Sequence, residues 1–199
     1  MHEDGSLPEA QRLERIWREL AAGAASGRHP FHTMAVATVD RDADDLPVAE
    51  VRTVVLRAVD PVAWQLSFHT DRRSPKAIQI LRSPGLSLLF YDTDGRRQIR
   101  ARGYATLRSN DERSRERWEM VPERSRACYR SPLAPGAPVS RAVASPESDT
   151  QDPDAGYEVF TVVDVRLTEL ELLLLDHRGH VRLSWTAGGD PARPTYLNP

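Results

Sequence analysis

The sequence predicts a mainly β, antiparallel fold with flanking helices, and three observations carry that expectation. Eight runs rich in β-branched and aromatic residues recur along the 199 residues. They do not alternate regularly with helical segments, as the crossovers of a parallel sheet would require. Two of them are joined by Asp92-Thr93-Asp94-Gly95, whose Asp-Gly end is a hairpin signal. Closing such a sheet on itself removes most exposed strand edges. Periodicity therefore points to a β-barrel or sandwich with helices attached.

The elements follow in order. Within residues 1–27, Pro8 to Ala25 reads as a helix, because Leu13, Ile16, Trp17 and Leu20 recur at helical spacing. Gly23, Gly27 and Pro30 end it. Strands are expected over Phe31 to Val39, Pro47 to Val59, Val62 to Thr70, Leu86 to Tyr91 and Gln98 to Leu107. Three more are expected over Tyr157 to Val165, Leu167 to Asp176 and His180 to Trp185, the last pair turning at Asp176 to Gly179. A short helix over Ser74 to Leu81 has Ser74 to cap it and Pro75 in its first position. A second, Asn110 to Met120, has Asn110 or Asp111 as its cap. Ser131 to Ala155, with five prolines and little apolar content, reads as a long loop. No repeat or linker divides the chain, so one domain over 1–199 is expected.

Charge and cysteine content narrow the partners. Lys plus Arg total 27 against 29 Asp plus Glu, a net charge of -2. That balance gives no electrostatic reason to hold nucleic acid or an anionic membrane. One cysteine, Cys128, cannot form an internal disulfide, and no defined spacing offers it a base. No signal peptide is read at the N-terminus, and the apolar run Leu172 to Leu175 is too short to span a bilayer. A cytoplasmic protein is expected. His177 and His180 stand three apart with no third ligand close in sequence, so no metal site is expected. Trp64, Trp118 and Trp185 read as core residues.

The chemistry concentrates between Arg52 and Arg102. Arg52 and Arg57 flank an apolar strand, Thr53-Val54-Val55-Leu56. Residues five apart on a strand face opposite ways, so the two arginines are expected to serve different neighbours. Thr70 closes the next strand, and Ser74-Pro75-Lys76 opens the short helix. A strand end, a hydroxyl, a helix N-terminus and a lysine in its first turn make a phosphate-sized anion site, which Arg52 could complete with a bidentate contact. The same pattern also describes a capped helix among solvated charges.

Read in order, Arg52 to Arg57, Phe68-His69-Thr70, Ser74-Pro75-Lys76, Leu88-Leu89-Phe90-Tyr91 and Arg97-Gln98-Ile99-Arg100-Ala101-Arg102-Gly103 resemble successive motifs of the pyridoxamine 5'-phosphate oxidase family. The resemblance covers roughly residues 31 to 130 and resumes near the C-terminus. It implies a split β-barrel of antiparallel Greek-key type that binds FMN, usually as a homodimer with two flavins at the subunit interface. On that resemblance Arg52 and Lys76 bind the FMN phosphate, with Thr70 and Ser74 adding bonds and His69 at a cofactor-binding position. The backbone of Thr53, Val54, Val55 and Leu56 faces the ring. Gln98 bonds the ring from the partner subunit, a role an amide suits because it both donates and accepts.

Arg178-Gly179-His180-Val181-Arg182 resembles the family's late Arg-x-His-x-Arg run. It implies substrate contacts from Arg178 and His180 and an FMN contact from Arg182. A cation near the reduced ring would stabilise its negative charge and raise its potential. His180 is the expected proton-transfer residue, because an imidazole can titrate near neutrality.

The chain departs from the family pattern at identifiable places. Pro75 replaces an arginine, His69 a tyrosine, and Arg57 a lysine; Leu172 lies near a family tryptophan and Ala134-Pro135 near a Gln-Ser pair. On the substrate side, Val121 falls at the phosphate-binding arginine and Arg117 at a tyrosine. The expectation is therefore an FMN-dependent oxidoreductase acting on a small-molecule substrate or electron donor other than pyridoxamine phosphate. The alternatives are a module that binds FMN or haem without catalysis, and a dimeric scaffold that has lost its flavin.

Overall fold

The computed structural model describes residues 7–139 and 152–199. Its strands are β1 (Thr33–Arg41), β2 (Pro47–Asp60), β3 (Gln65–Asp71), β4 (Gly85–Asp92), β5 (Arg97–Arg108), β6 (Phe160–Leu174), β7 (Val181–Thr186) and β8 (Thr195–Leu197). They form one antiparallel sheet in the order β3-β2-β1-β4-β5-β6-β7-β8. A further pairing of β3 with β6 closes the first six strands into a barrel. β1, β2 and β3 are consecutive neighbours and β4 returns beside β1, which is a Greek-key order. The expected barrel is borne out.

Side-chain alternation builds the core. Met34, Val36 and Thr38 of β1 and Leu86, Leu88 and Phe90 of β4 point inward, while the residues between them face out. Phe31, Leu56, Phe68, Phe90, Leu170 and Leu183 share one cluster with Leu13, Ile16, Trp17 and Leu20 of helix α1 (Glu9–Ala25). α1 ends against the turn that leads into β1. A Cβ on Gly23 would stand 2.6 Å from the Phe31 carbonyl oxygen, so only glycine allows that approach. On the opposite face of β3 and β6, Trp118 and Val121 cover Phe160 and Val162, with Tyr129 and Tyr157 packed beside them.

Helix α2 (Pro75–Arg82) follows β3; α3 (Glu112–Glu119) and α4 (Glu123–Arg126) follow β5. Asp111, not Asn110, caps α3: it accepts from the Ser114 N–H at 2.8 Å while Ser114 Oγ receives the Asp111 N–H. Asn110 instead takes φ 55°. Ser74 precedes α2 without capping it, because its hydroxyl is hydrogen-bonded to Thr70 at 3.0 Å.

The two strands expected over Tyr157–Val165 and Leu167–Asp176 are one strand, β6. The interruption is a bulge: Arg102 pairs with Glu169 and Gly103 with Leu167, leaving Thr168 extra. A bulge breaks the inward-outward period locally without ending the strand. β3 begins at Gln65 rather than Val62, because residues 61–64 form a turn and Trp64 takes φ 51°. The short strand β8 and the helix α4 were not expected. In the β4–β5 hairpin the left-handed residue is Arg96 (φ 46°), and Asp92 accepts from the Gly95 N–H at 2.9 Å. Part of the expected Ser131 to Ala155 loop, residues 140–151, lies outside the described residues. Its two ends are tied down: Arg73 donates to the Ser131 and Pro132 carbonyls, and Trp118 Nε1 to the Pro153 carbonyl at 3.1 Å.

Candidate cofactor site

The barrel opens between β2 and β3. These strands are paired only from Leu56↔Phe68 to Asp60↔Gln65. Beyond that point β3 continues along β6 from His69 to Asp71, and β2 continues along β1 from Val55 to Pro47. The edge of β2 over Arg52–Val55 therefore has no strand partner on the side away from β1. Backbone groups along it are free to meet a ligand.

Two sets of side chains flank this opening, as alternation along β2 requires. Arg52 shares a face with Val54 and Leu56, and Arg57, the bulged residue, turns the other way. Arg52 bonds Thr38 Oγ1, the Glu50 carbonyl at 3.1 Å and Gln79 Oε1 at 2.9 Å. Gln79 is buried on α2, where it also accepts from Thr38 at 2.6 Å and donates to Asp40 at 2.8 Å. Lys76 Nζ donates to Thr70 Oγ1 at 3.3 Å and forms no ion pair among the described residues. Burial, and then the charge of Arg52, hold the Lys76 ammonium below its ordinary pKa, against a smaller opposing pull from Asp71. A half-buried ammonium without an ion pair among the described residues, beside a guanidinium whose carboxylate neighbour Glu50 stands at 3.8 Å, is a donor set that suits a phosphate. The residues present fit the phosphate end of FMN on this ground. The Thr70 and Ser74 hydroxyls are buried against one another, so they support the site from beneath.

On the other face of β3, His69 lies edge-on to Phe160 at 4.8 Å between ring centroids. Burial, followed by the charges of Arg57 and Arg117, pushes its imidazole down to about 3, so the ring is neutral near pH 7. Its Nε2 is buried without a hydrogen-bond partner. Burial raises the pKa of the nearby Tyr129 phenol, against the opposing charge of Arg57. Arg57 makes no hydrogen bond or ion pair among the described residues. Val121 is buried against Trp118 and leaves no cation at its position.

The remaining residues singled out in the sequence lie elsewhere. Gln98 pairs with Leu173, and Leu173 with Arg182, while Thr70 pairs with Thr161. Leu173 stands twelve residues beyond Thr161 on β6. That is about 40 Å of strand contour at roughly 3.3 Å per residue. Arg178 and His180 sit still farther along, in the exposed turn after β6. Arg178 is ion-paired with Asp176 at 3.2 Å, and His180 Nδ1 accepts from the Asp176 N–H at 3.3 Å. Across the sheet, however, Gln98 lines one cavity with Ala35, Val51 and Leu89, on the face of β2 opposite to that of Arg52. Arg182 is bound to Glu171 at 2.9 and 2.5 Å. Neither Glu171 nor Gln79 was singled out in the sequence. The signal for Gln79 was a polar residue beside the apolar positions Ala77 and Ile80 of α2; Glu171 stood out only as a charge inside an apolar strand.

Comparison with known proteins follows the same lines. Residues 14–109 match the family described as pyridoxamine 5'-phosphate oxidase, FMN-binding domain. A pyridoxine/pyridoxamine 5'-phosphate oxidase of Hyphomonas neptunium is 37% identical over 98 residues, which are 49% of this chain and 42% of that protein. The match thus spans less than half of that relative's length. Among solved structures, a pyridoxamine 5'-phosphate oxidase-related, FMN binding protein from Nostoc punctiforme superposes with a TM-score of 0.70 at 24% identity, covering 94% of this chain and 96% of that one. PhzG from Burkholderia lata, solved with tetrahydrophenazine-1-carboxylic acid, gives 0.68 at 19% identity, covering 100% and 97%. These two likenesses support the fold. Over residues 14–109 the chain is similar to the FMN-binding domain of the pyridoxamine 5'-phosphate oxidase family, and its fold is the split barrel of those structures.

Proposed function

We propose that this protein is an FMN-dependent oxidoreductase that works as a cytoplasmic homodimer on a small-molecule substrate. The observation that carries the reading is the opening between β2 and β3. An unpaired strand edge lies there beside a half-buried Lys76 that has no carboxylate partner among the described residues. In this reading Arg52 and Lys76 hold the FMN phosphate, Thr70 and Ser74 brace them, and the Thr53–Leu56 edge runs along the ring with His69 lining the opposite wall. When bound, FMN supplies hydride and electron transfer. Gln98 and Arg182 reach the ring from a second chain.

Arg57, Arg178 and His180 serve the substrate. With its Nδ1 accepting from the Asp176 N–H, the neutral His180 ring carries its proton on Nε2, the nitrogen left to face a substrate. The buried Val121 supplies no charge to a substrate phosphate, so pyridoxamine phosphate is not the expected substrate. No described helix is long and apolar enough to cross a membrane.

The test is the visible spectrum of the purified protein before and after adding FMN and desalting. The wild type should retain flavin bands. Arg52→Ala/Lys76→Ala should weaken retention at least about thirtyfold, the lower end of what losing a desolvated charge-assisted contact costs, ~2 kcal/mol. A colourless protein that retains no FMN would sink the reading. Bleaching of bound flavin by NAD(P)H supports an enzyme; retained flavin that no common donor reduces supports a binding module.

A further inference from the structure

We infer that Glu171 is a positioning residue that sets the charge felt by the flavin ring, and so its reduction potential; the inference rests on the FMN reading above. Outward-facing residues of β5, β6 and β7 form rows across the sheet. Gln98, Leu173 and Arg182 make one row, and Arg100, Glu171 and Ser184 the next. Neighbouring rows on one face are about 7 Å apart. The Glu171 carboxylate is therefore one row from both residues assigned to the ring.

Its environment is unusual for a glutamate. It is nearly fully buried, and three arginines converge on it: Arg182 at 2.5 Å, Arg102 at 3.2 Å and Arg100 at 3.6 Å. Burial opposes its charge, yet the hydrogen bonds from Arg182 and Arg102 and the charge of Arg100 outweigh that, and its pKa lies below the usual glutamate value. Arg102 also meets Glu169 at 3.4 Å, and Ser184 donates to Glu169 at 2.7 Å. Three guanidiniums against two carboxylates leave one positive charge in excess beside the proposed ring position.

Glu171 therefore does two things. It fixes the Arg182 guanidinium through two bonds to one oxygen, and its single negative charge offsets part of the positive potential that Arg182 and Arg100 would otherwise project. Reduction adds negative charge to the ring, so each unit of local charge moves the potential in a known direction.

Glu171→Gln keeps the shape and an acceptor oxygen for Arg182 but removes the charge. The two-electron potential of bound FMN should rise in this variant, with the reduced-to-oxidised ratio at a fixed ambient potential up about tenfold, or ~30 mV. Arg102→Gln removes a cation from the same group. Its side chain is half exposed, so folding tolerates the change, and its potential should move the opposite way. Potentials are read by dye-equilibrated spectral titration, independently of any substrate. A flavin-loaded wild type whose potential matches those of both variants overturns this inference alone, as do shifts of the same sign in both. A wild type that retains no FMN overturns the cofactor reading, and this inference with it.

Discussion

His69 makes the stability of this barrel sensitive to acid in a way that can be isolated. Its imidazole is depressed to about 3 in the folded chain, from an ordinary value of 6.5, first by burial and then by Arg57 and Arg117. In the unfolded chain the ring takes up a proton as pH falls through 6.5, while in the folded chain it does not until about 3. The unfolded state binds more protons throughout that window, so stability is lost as pH falls across it. The slope is about 1.4 kcal/mol per pH unit. At pH 5 the loss is roughly 2 kcal/mol, and at pH 3 it approaches a ceiling of roughly 5. His69→Phe keeps an aromatic ring against Phe160 and removes the titration. Every other titratable group is common to both proteins, so the difference between wild type and variant reports on the histidine. Urea unfolding at pH 7.5, 6, 5 and 4 should give a difference that is flat above 6.5 and shifts by about 1.4 kcal/mol per unit below it, in favour of the variant. A difference that stays constant from pH 7.5 to 4 would refute the reasoning.

Two further outcomes are expected. If the flavin site is shared between subunits, chains carrying Arg52→Ala/Lys76→Ala and chains carrying Gln98→Ala/Arg182→Ala should complement after mixed refolding. Random pairing restores about a quarter of the sites, because half the dimers are mixed and each has one intact site; no recovery of bound FMN means that one chain holds the whole site. Gly103→Ala should be destabilising by at least about 2 kcal/mol, a fall in Tm of roughly 4–8 °C, because its Cβ would stand 2.2 Å from the Arg166 carbonyl oxygen at the β5–β6 bulge. Calorimetry giving an unchanged Tm would show that the bulge can relax.

What the sequence disclosed was set by how local each feature is. Hydrophobic period and turn chemistry act over a few residues, so α1, the β4–β5 hairpin and the start of α2 were legible. Arg52 and Arg57 were also separable in advance, because alternation on one strand assigns opposite faces without reference to anything distant. The β6 interruption was misread because a bulge and a turn both break the period over two or three residues. Only pairing with Arg102 and Gly103 on β5 tells them apart. The Ser74 cap failed for a related reason: the hydroxyl was taken by Thr70 on β3, a tertiary competitor that the local motif does not reveal.

The candidate site follows the same rule, and its charges show why. Every arginine looks alike in sequence, yet the register sorts them. Arg182, Arg102 and Arg100 are spent on Glu171, a partner visible only once β5, β6 and β7 are laid side by side. Arg178 is held by Asp176 within its own turn. Lys76 has no carboxylate partner among the described residues, although burial and the charge of Arg52 make an unpaired cation costly there. An ammonium kept in that state, beside a strand edge left unpaired by the parting of β2 and β3, is the feature on which the proposed anion site rests, because the packing of the barrel alone gives no reason to bury it.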